Sequence, residues 1–150
     1  MCIRDRSNAK AIFLKVSGGG GGGARRVYQG NAAYSGSDGN DTTVSNSNLS
    51  ISITAKGGRG GLNSGSGLLP IFTNDVGGDY VHRGGGAIGG FADNDNFDVH
   101  AGDGKPANLV HKYVTGKIGG EVLTISIGAG GAGGSTAEDG QSGYVEIMVW

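Results

Sequence analysis

The sequence predicts an all-β fold, an antiparallel β-sandwich with ordered glycine-rich loops. Three observations carry that expectation. Glycine supplies 34 of the 150 residues, and each glycine in a helix interior costs about 1 kcal/mol relative to alanine. Four segments alternate apolar and polar residues, the period of a strand. No stretch repeats apolar residues at the 3.6-residue period of a helix.

The first strand is read at Ala11 to Val16, with Ile12, Leu14 and Val16 on one face and Phe13 and Lys15 on the other. The second runs from Asn48 to Ala55. Leu49, Ile51, Ile53 and Ala55 alternate there with Ser50, Ser52 and Thr54, an apolar face backed by hydroxyls. The third, Val122 to Ile127, turns Leu123, Ile125 and Ile127 inward. The last, Tyr144 to Trp150, turns Val145, Ile147 and Val149 inward. Weaker strand signals cover Leu68 to Thr73, Asp79 to His82 and Leu109 to Val114.

Between the strands lie glycine runs, the longest being Gly18 to Gly23. Flexible linkers share this composition. Yet almost every run abuts a strong strand, and ordering glycine is entropically costly. An ordered run needs a compensating gain. One source is close packing of three-residue-per-turn extended chains without Cβ atoms. Another is turns at positive φ. The expectation is ordered packing, with Gly18, Gly19, Gly20, Gly21, Gly22, Gly23, Gly130 and Gly131 as structural glycines.

Composition narrows the function. The formal net charge is −1, so there is no basic field for nucleic acid. No apolar run approaches the roughly 20 residues of a membrane span. A lone Cys2 supports neither an internal disulfide framework nor a multi-cysteine metal site. Residues 1–8 are read as a leader. The segment Met1 to Arg6 lacks the apolar stretch of a signal peptide and resembles a spurious leader seen on open reading frames from environmental sequencing. Residues 9–150 are read as one domain.

The motifs point away from catalysis. Ile127-Gly128-Ala129-Gly130-Gly131-Ala132-Gly133 matches a strand followed by G-x-G-x-x-G. A dinucleotide site also needs a helix and a second strand, and the remaining residues leave no space for them. Gly104-Lys105 lacks the following Ser or Thr of a phosphate loop. The acidic tract Asp93 to Asp98 has Asp98 where an EF-hand loop needs Gly, and reads as an exposed polar loop. His82, His100 and His111 fit no metal or triad spacing. The expectation is no enzyme, no cofactor and no metal.

The order of elements resembles the glycine-rich domain at the C-terminal end of phage tail-fibre and related virion proteins. Three stretches carry the likeness: Ala11 to Gly23; Gly39-Asn40-Asp41-Thr42-Thr43 leading through Leu49 to Ala55 into Gly57 to Gly61; and Ile127 to Gly134 followed by Gly140 to Trp150. The resemblance implies a non-enzymatic, extracellular receptor-binding module at the tip of a virion fibre. Its partners would be further copies of itself, a homotrimer first, and a bacterial surface glycan or outer-membrane protein. Contact would fall to loop aromatics and polar residues: Tyr80, His82, Arg83, Phe91, Asn94, Phe97 and His100. Burial in the core is the alternative for Phe91 and Phe97. The glycine runs look irregular beside those of the family, so a sandwich decorated with glycine segments is expected rather than a full polyglycine core. The alternative function is a self-assembling subunit of a virion shell or extracellular filament.

Overall fold

The computed structural model describes residues 2–4, 8–26, 33–62, 75–94, 102–116 and 118–150. Among them there is no helix. The strands are β1 (Cys2–Arg4), β2 (Ala11–Ser17), β3 (Arg25–Arg26), β4 (Ala33–Tyr34), β5 (Thr42–Asn46), β6 (Ile51–Ala55), β7 (Tyr80–His82), β8 (Asp93–Asn94), β9 (Leu109–Thr115), β10 (Val122–Ser126) and β11 (Tyr144–Val149). One antiparallel sheet has the order β1-β10-β5-β6, and a second the order β11-β2-β9-β7. A small third sheet, β4-β3-β8, pairs β3 with β8 in parallel.

The two larger sheets stack with β2 against β5 and β6, and β6 against β9. Period-two alternation puts one apolar face of each inside. Ile12, Leu14 and Val16 of β2 meet Val44, Ile51, Ile53, Leu123 and Ile125 of the facing sheet. Val145 and Ile147 of β11 pack against this cluster from the rim.

The polar-looking Thr42–Asn46 forms a strand that apolar alternation does not reveal, because only Val44 advertises it. Thr42 is nonetheless fully buried, its Oγ1 accepting the amide of Gly128 at 2.9 Å. The expected strand from Asn48 begins only at Ile51. Residues 47–50 form a turn in which Ser50 sits at φ 53°. Ile127 is a further correction. It lies past the end of β10 and is 45% exposed, as is Val149 at 38%. The segment from Leu68 to Thr73 lies outside the described residues.

Every long strand continues into an extended segment. Segments 18–24, 56–62, 86–92 and 128–134 leave the sheets; 35–41, 102–108 and 137–143 return to them. Segment 18–24 is the hub. Its amides donate in rotation to three returning segments: Gly18 to Asn108, Gly19 to Asn40, Gly20 to Gln141, then Gly21 to Lys105, Gly22 to Ser37, Gly23 to Glu138, at 2.8–3.3 Å. Its carbonyls accept from three outgoing ones: Gly58 to Gly19, Gly131 to Gly20 and Gly90 to Gly21, at 2.7–2.8 Å. Each partner segment recurs every third residue. That is the period of a left-handed extended helix with three residues per turn and no internal hydrogen bonds.

The six surrounding segments also bond to one another in a closed ring. Gly39 donates to Gly58, Lys105 to Arg59, Gly104 to Gly90, Gln141 to Ile88, Gly140 to Gly131 and Asn40 to Ala129, at 2.7–2.9 Å. Outgoing and returning segments therefore alternate around the hub. Two of the outgoing glycine runs, 56–62 and 128–134, keep the three-residue period. In Lys56-Gly-Gly-Arg59-Gly-Gly-Leu62 every third residue carries a side chain, and the glycines between are buried. In 128–134 the outward positions are Ala129 and Ala132.

Space, not conformation, demands glycine in the hub. No hub glycine has φ in the left-handed region. A Cβ on Gly20 would land on the carbonyl oxygen of Ile88, and one on Gly21 on that of Arg59, both well inside 3.0 Å.

Candidate functional site

The alternation of direction gives the molecule two ends. Seven residues at about 3.1 Å each make the bundle about 20 Å long. Its far end is where the outgoing segments finish, at Arg26, Leu62, Asn94 and Gly134, and where the returning ones begin, at Ala33, Gly102 and Ala137. The small β4-β3-β8 sheet lies there. Tyr34 is 45% and Phe91 60% exposed. Arg25 Nη1 donates to Ser135 Oγ at 3.1 Å, and Ala92 N to Asp103 Oδ1 at 2.8 Å. Ser135 has a φ of 55° and opens a turn closed by the amide of Ala137 on the carbonyl of Gly134 at 3.0 Å.

Phe91 is thus an exposed side chain, not a core one. Ile88 is three residues earlier on the same segment and equally open. The three-residue period stacks both on one side, an apolar stripe leading to the far end. Asn94 lies in β8, its backbone paired in register with Arg26. Phe97 and His100 lie outside the described residues, in the stretch that joins Asn94 to Gly102.

Tyr80, His82 and Arg83 stand elsewhere, on or next to β7 at the rim of the second sheet. Tyr80 is 58% exposed. Its ring lies 5.8 Å from that of His111 and 6.5 Å from that of His82. His111 also meets Phe13 at 5.3 Å. Register explains the cluster, since Tyr80 pairs with His111, and Lys15, beside Phe13, pairs with His111 on the other side. The described contact residues expected from sequence therefore fall at two places on the molecule. Of the five that are described, Phe91 and Asn94 lie at the bundle's far end, and Tyr80, His82 and Arg83 at the sheet rim.

Sequence reasoning assigned no contact role to Phe13, His111, Tyr113 and Trp150, which share the outer side of the second sheet with Tyr80. The Tyr113 and Trp150 rings meet edge-on at 6.4 Å. The signal was present as the polar-side half of each alternation. Charged groups flank the aromatics. Lys15 binds Glu146 at 3.1 Å and lies 5.4 Å from the Tyr144 ring; the Glu146 hydrogen bond raises its pKa above the ordinary 10.5. Lys112 binds Asp79 at 2.7 Å and holds that carboxyl below its ordinary 3.8, helped by the amide of Tyr113.

Among the described residues, no group of three His, Cys, Asp or Glu side chains could hold a metal ion. Among the same residues, no helix is long and apolar enough to cross a membrane. No family model matches the chain, and searches of curated proteins and of solved structures also return no match.

Proposed function

We propose that this chain is a non-enzymatic virion module, the tip domain of a phage tail fibre that binds a bacterial surface glycan or outer-membrane protein. One observation supports the reading best. A hydrogen-bonded bundle carries the ends of four outgoing segments to one end, about 20 Å from the sheets. Loops held on a rigid scaffold are where binding residues concentrate. The reading places contact at Phe91, with Asn94, Phe97 and His100 in the adjoining stretch. Tyr80, His82 and Arg83 would form a second contact at the sheet rim. In this reading the module is extracellular and oligomeric, a sandwich completed by ordered polyglycine-like segments.

The test is binding of the labelled chain to a panel of bacterial strains. Phe91→Asp changes an exposed side chain and leaves the fold intact. Loss of cell binding of about tenfold or more supports the reading, in line with an interfacial aromatic anchor. Unchanged binding removes Phe91 from the contact.

A self-assembling shell or filament subunit is the second reading. It is favoured by β11, a six-residue edge strand without proline. Such an edge pairs readily with another chain. An open helical array in electron micrographs supports it, and a closed trimer supports the fibre tip.

A further inference from the structure

We infer that the end of the molecule opposite the bundle holds a binding groove for a neutral sugar. The groove is shallow and open to solvent, with about 580 Å³ of space on the outer side of the first sheet, within the usual range of volume for small-ligand sites. Its floor is Ser45 and Thr124, direct partners in the β5–β10 register, with Val122 beside them. All three turn outward; Val122 is 40% exposed. Its walls are two tight turns. Ser50 donates its amide to Ser47 at 3.2 Å in one, and Glu121 donates its amide to Ile118 at 3.1 Å in the other. Gly120, at φ 87°, lets the second turn close.

The polar groups are arranged before any ligand arrives. Asn46 is only 8% exposed, and its side chain ties both walls together. Its Oδ1 accepts the Leu49 amide at 2.8 Å, and its Nδ2 donates to Glu121 Oε2 at 3.1 Å and to the Val122 carbonyl at 3.0 Å. Asn48 Nδ2 donates to the same Glu121 Oε2 at 2.9 Å. Two amides therefore hold one carboxylate oxygen. Those bonds engage Oε2, and Glu121 lines the groove together with Ser45, Ser47 and Thr124.

This chemistry selects its ligand. A fixed carboxylate oxygen accepts from sugar hydroxyls, and serine and threonine hydroxyls donate or accept as required. Val122 offers an apolar patch to a ring's C–H face. An anionic sugar would meet the Glu121 charge. A hard divalent cation wants six to eight oxygens and usually several carboxylates, whereas Glu121 is the single carboxylate in the lining. The groove lies at the opposite end from Phe91, so it stands apart from the fibre-tip reading.

The experiment is a titration of the ¹⁵N-labelled full chain with three probes: methyl α-D-glucopyranoside, methyl α-D-mannopyranoside and methyl β-D-galactopyranoside. At least one should shift the amides of Asn48, Gly120 and Glu121 saturably, at about millimolar strength, as suits so small a ligand. Glu121→Gln should weaken that binding about tenfold, because a buried or oriented acceptor is replaced by a mixed donor. Thr124→Trp, which fills the floor from the outward side, should abolish it even if the Glu121 variant does not fold. The proposal is overturned if none of the three probes gives saturable shifts, or if binding persists unchanged in Thr124→Trp. It is likewise overturned if calcium chloride alone produces the same shifts, which would make the groove a cation site.

Discussion

The carboxylate of Asp38 accepts the backbone amide of Gly60 at 2.8 Å. Three residues on, Asp41 accepts that of Gly57 at 3.1 Å. Asp139 does the same for Gly133 at 2.6 Å, and Asp103 for Ala92 at 2.8 Å. Each aspartate sits on a returning segment, and each amide belongs to an outgoing one. The carboxylates finish the ring's hydrogen bonding where no further backbone is at hand.

Removing one such acceptor should therefore destabilise the fold. Asp38→Ala leaves the amide of buried Gly60 without its partner, a loss of about 1–3 kcal/mol. Asp38→Asn keeps an acceptor oxygen and should recover most of that. Urea midpoints of the two variants and the parent chain check it; an Asp38→Ala midpoint equal to the parent's would show that the carboxylate contributes nothing.

The hub should tolerate no side chain. Gly20→Ala places a methyl on the Ile88 carbonyl, and the ring cannot move outward without breaking bonds on both sides. A loss above about 3 kcal/mol is expected, at the overpacking extreme. Ala132→Gly, at an outward position, should cost under about 1 kcal/mol. Thermal melts of both separate close packing from flexible-linker behaviour, in which the two substitutions would behave alike.

The sheet core should behave conventionally. Ile125 is 5% exposed and packs between the sheets. Ile125→Ala should cost about 2–5 kcal/mol, read from denaturant midpoints. A midpoint equal to that of the parent chain would contradict the packing.

Asp79 supplies a pH dependence. Its carboxyl is held below the ordinary 3.8 by Lys112 and the Tyr113 amide. A folded value below the unfolded one stabilises the fold above the unfolded value, and that contribution fades as pH falls through the folded value. The parent chain should therefore melt above Asp79→Ala at neutral pH, and the gap should close in acid, below the carboxyl's ordinary range. A gap that instead widened in acid would reverse the sign.

The strands most legible in sequence were those whose alternation is apolar, β2, β6, β10 and β11, while the weaker signals at Asp79 to His82 and Leu109 to Val114 also mark strands, β7 and β9. β5 escaped because its inward side holds Thr42 and Asn46, which are buried through hydrogen bonds rather than apolar contact. The glycine period was written in Lys56-Gly-Gly-Arg59-Gly-Gly-Leu62, but it is hidden elsewhere. The returning segments need few glycines, since two residues in three face outward, as in Ser35 to Asp41. Which segment bonds to which was not legible at all. Gly20 meets Gln141 through backbone atoms alone, and backbone pairing leaves no side-chain signature. The sugar groove escaped for a similar reason: Asn46, Asn48 and Glu121 are 73–75 residues apart across the wall they share.

The hub's position in the chain has a consequence for synthesis. Gly20 needs Gln141, and Gly23 needs Glu138, so the hub must wait for partners that lie more than a hundred residues later in the chain. At about 5–20 residues per second, the wait between them lasts some seconds on the ribosome. Long-range pairing of this kind folds slowly and usually invites aggregation. Six waiting glycines expose no apolar side chain, so nothing on the hub is sticky while it waits. The nascent chain keeps its most demanding element in its most inert chemistry until segment 137–143 emerges.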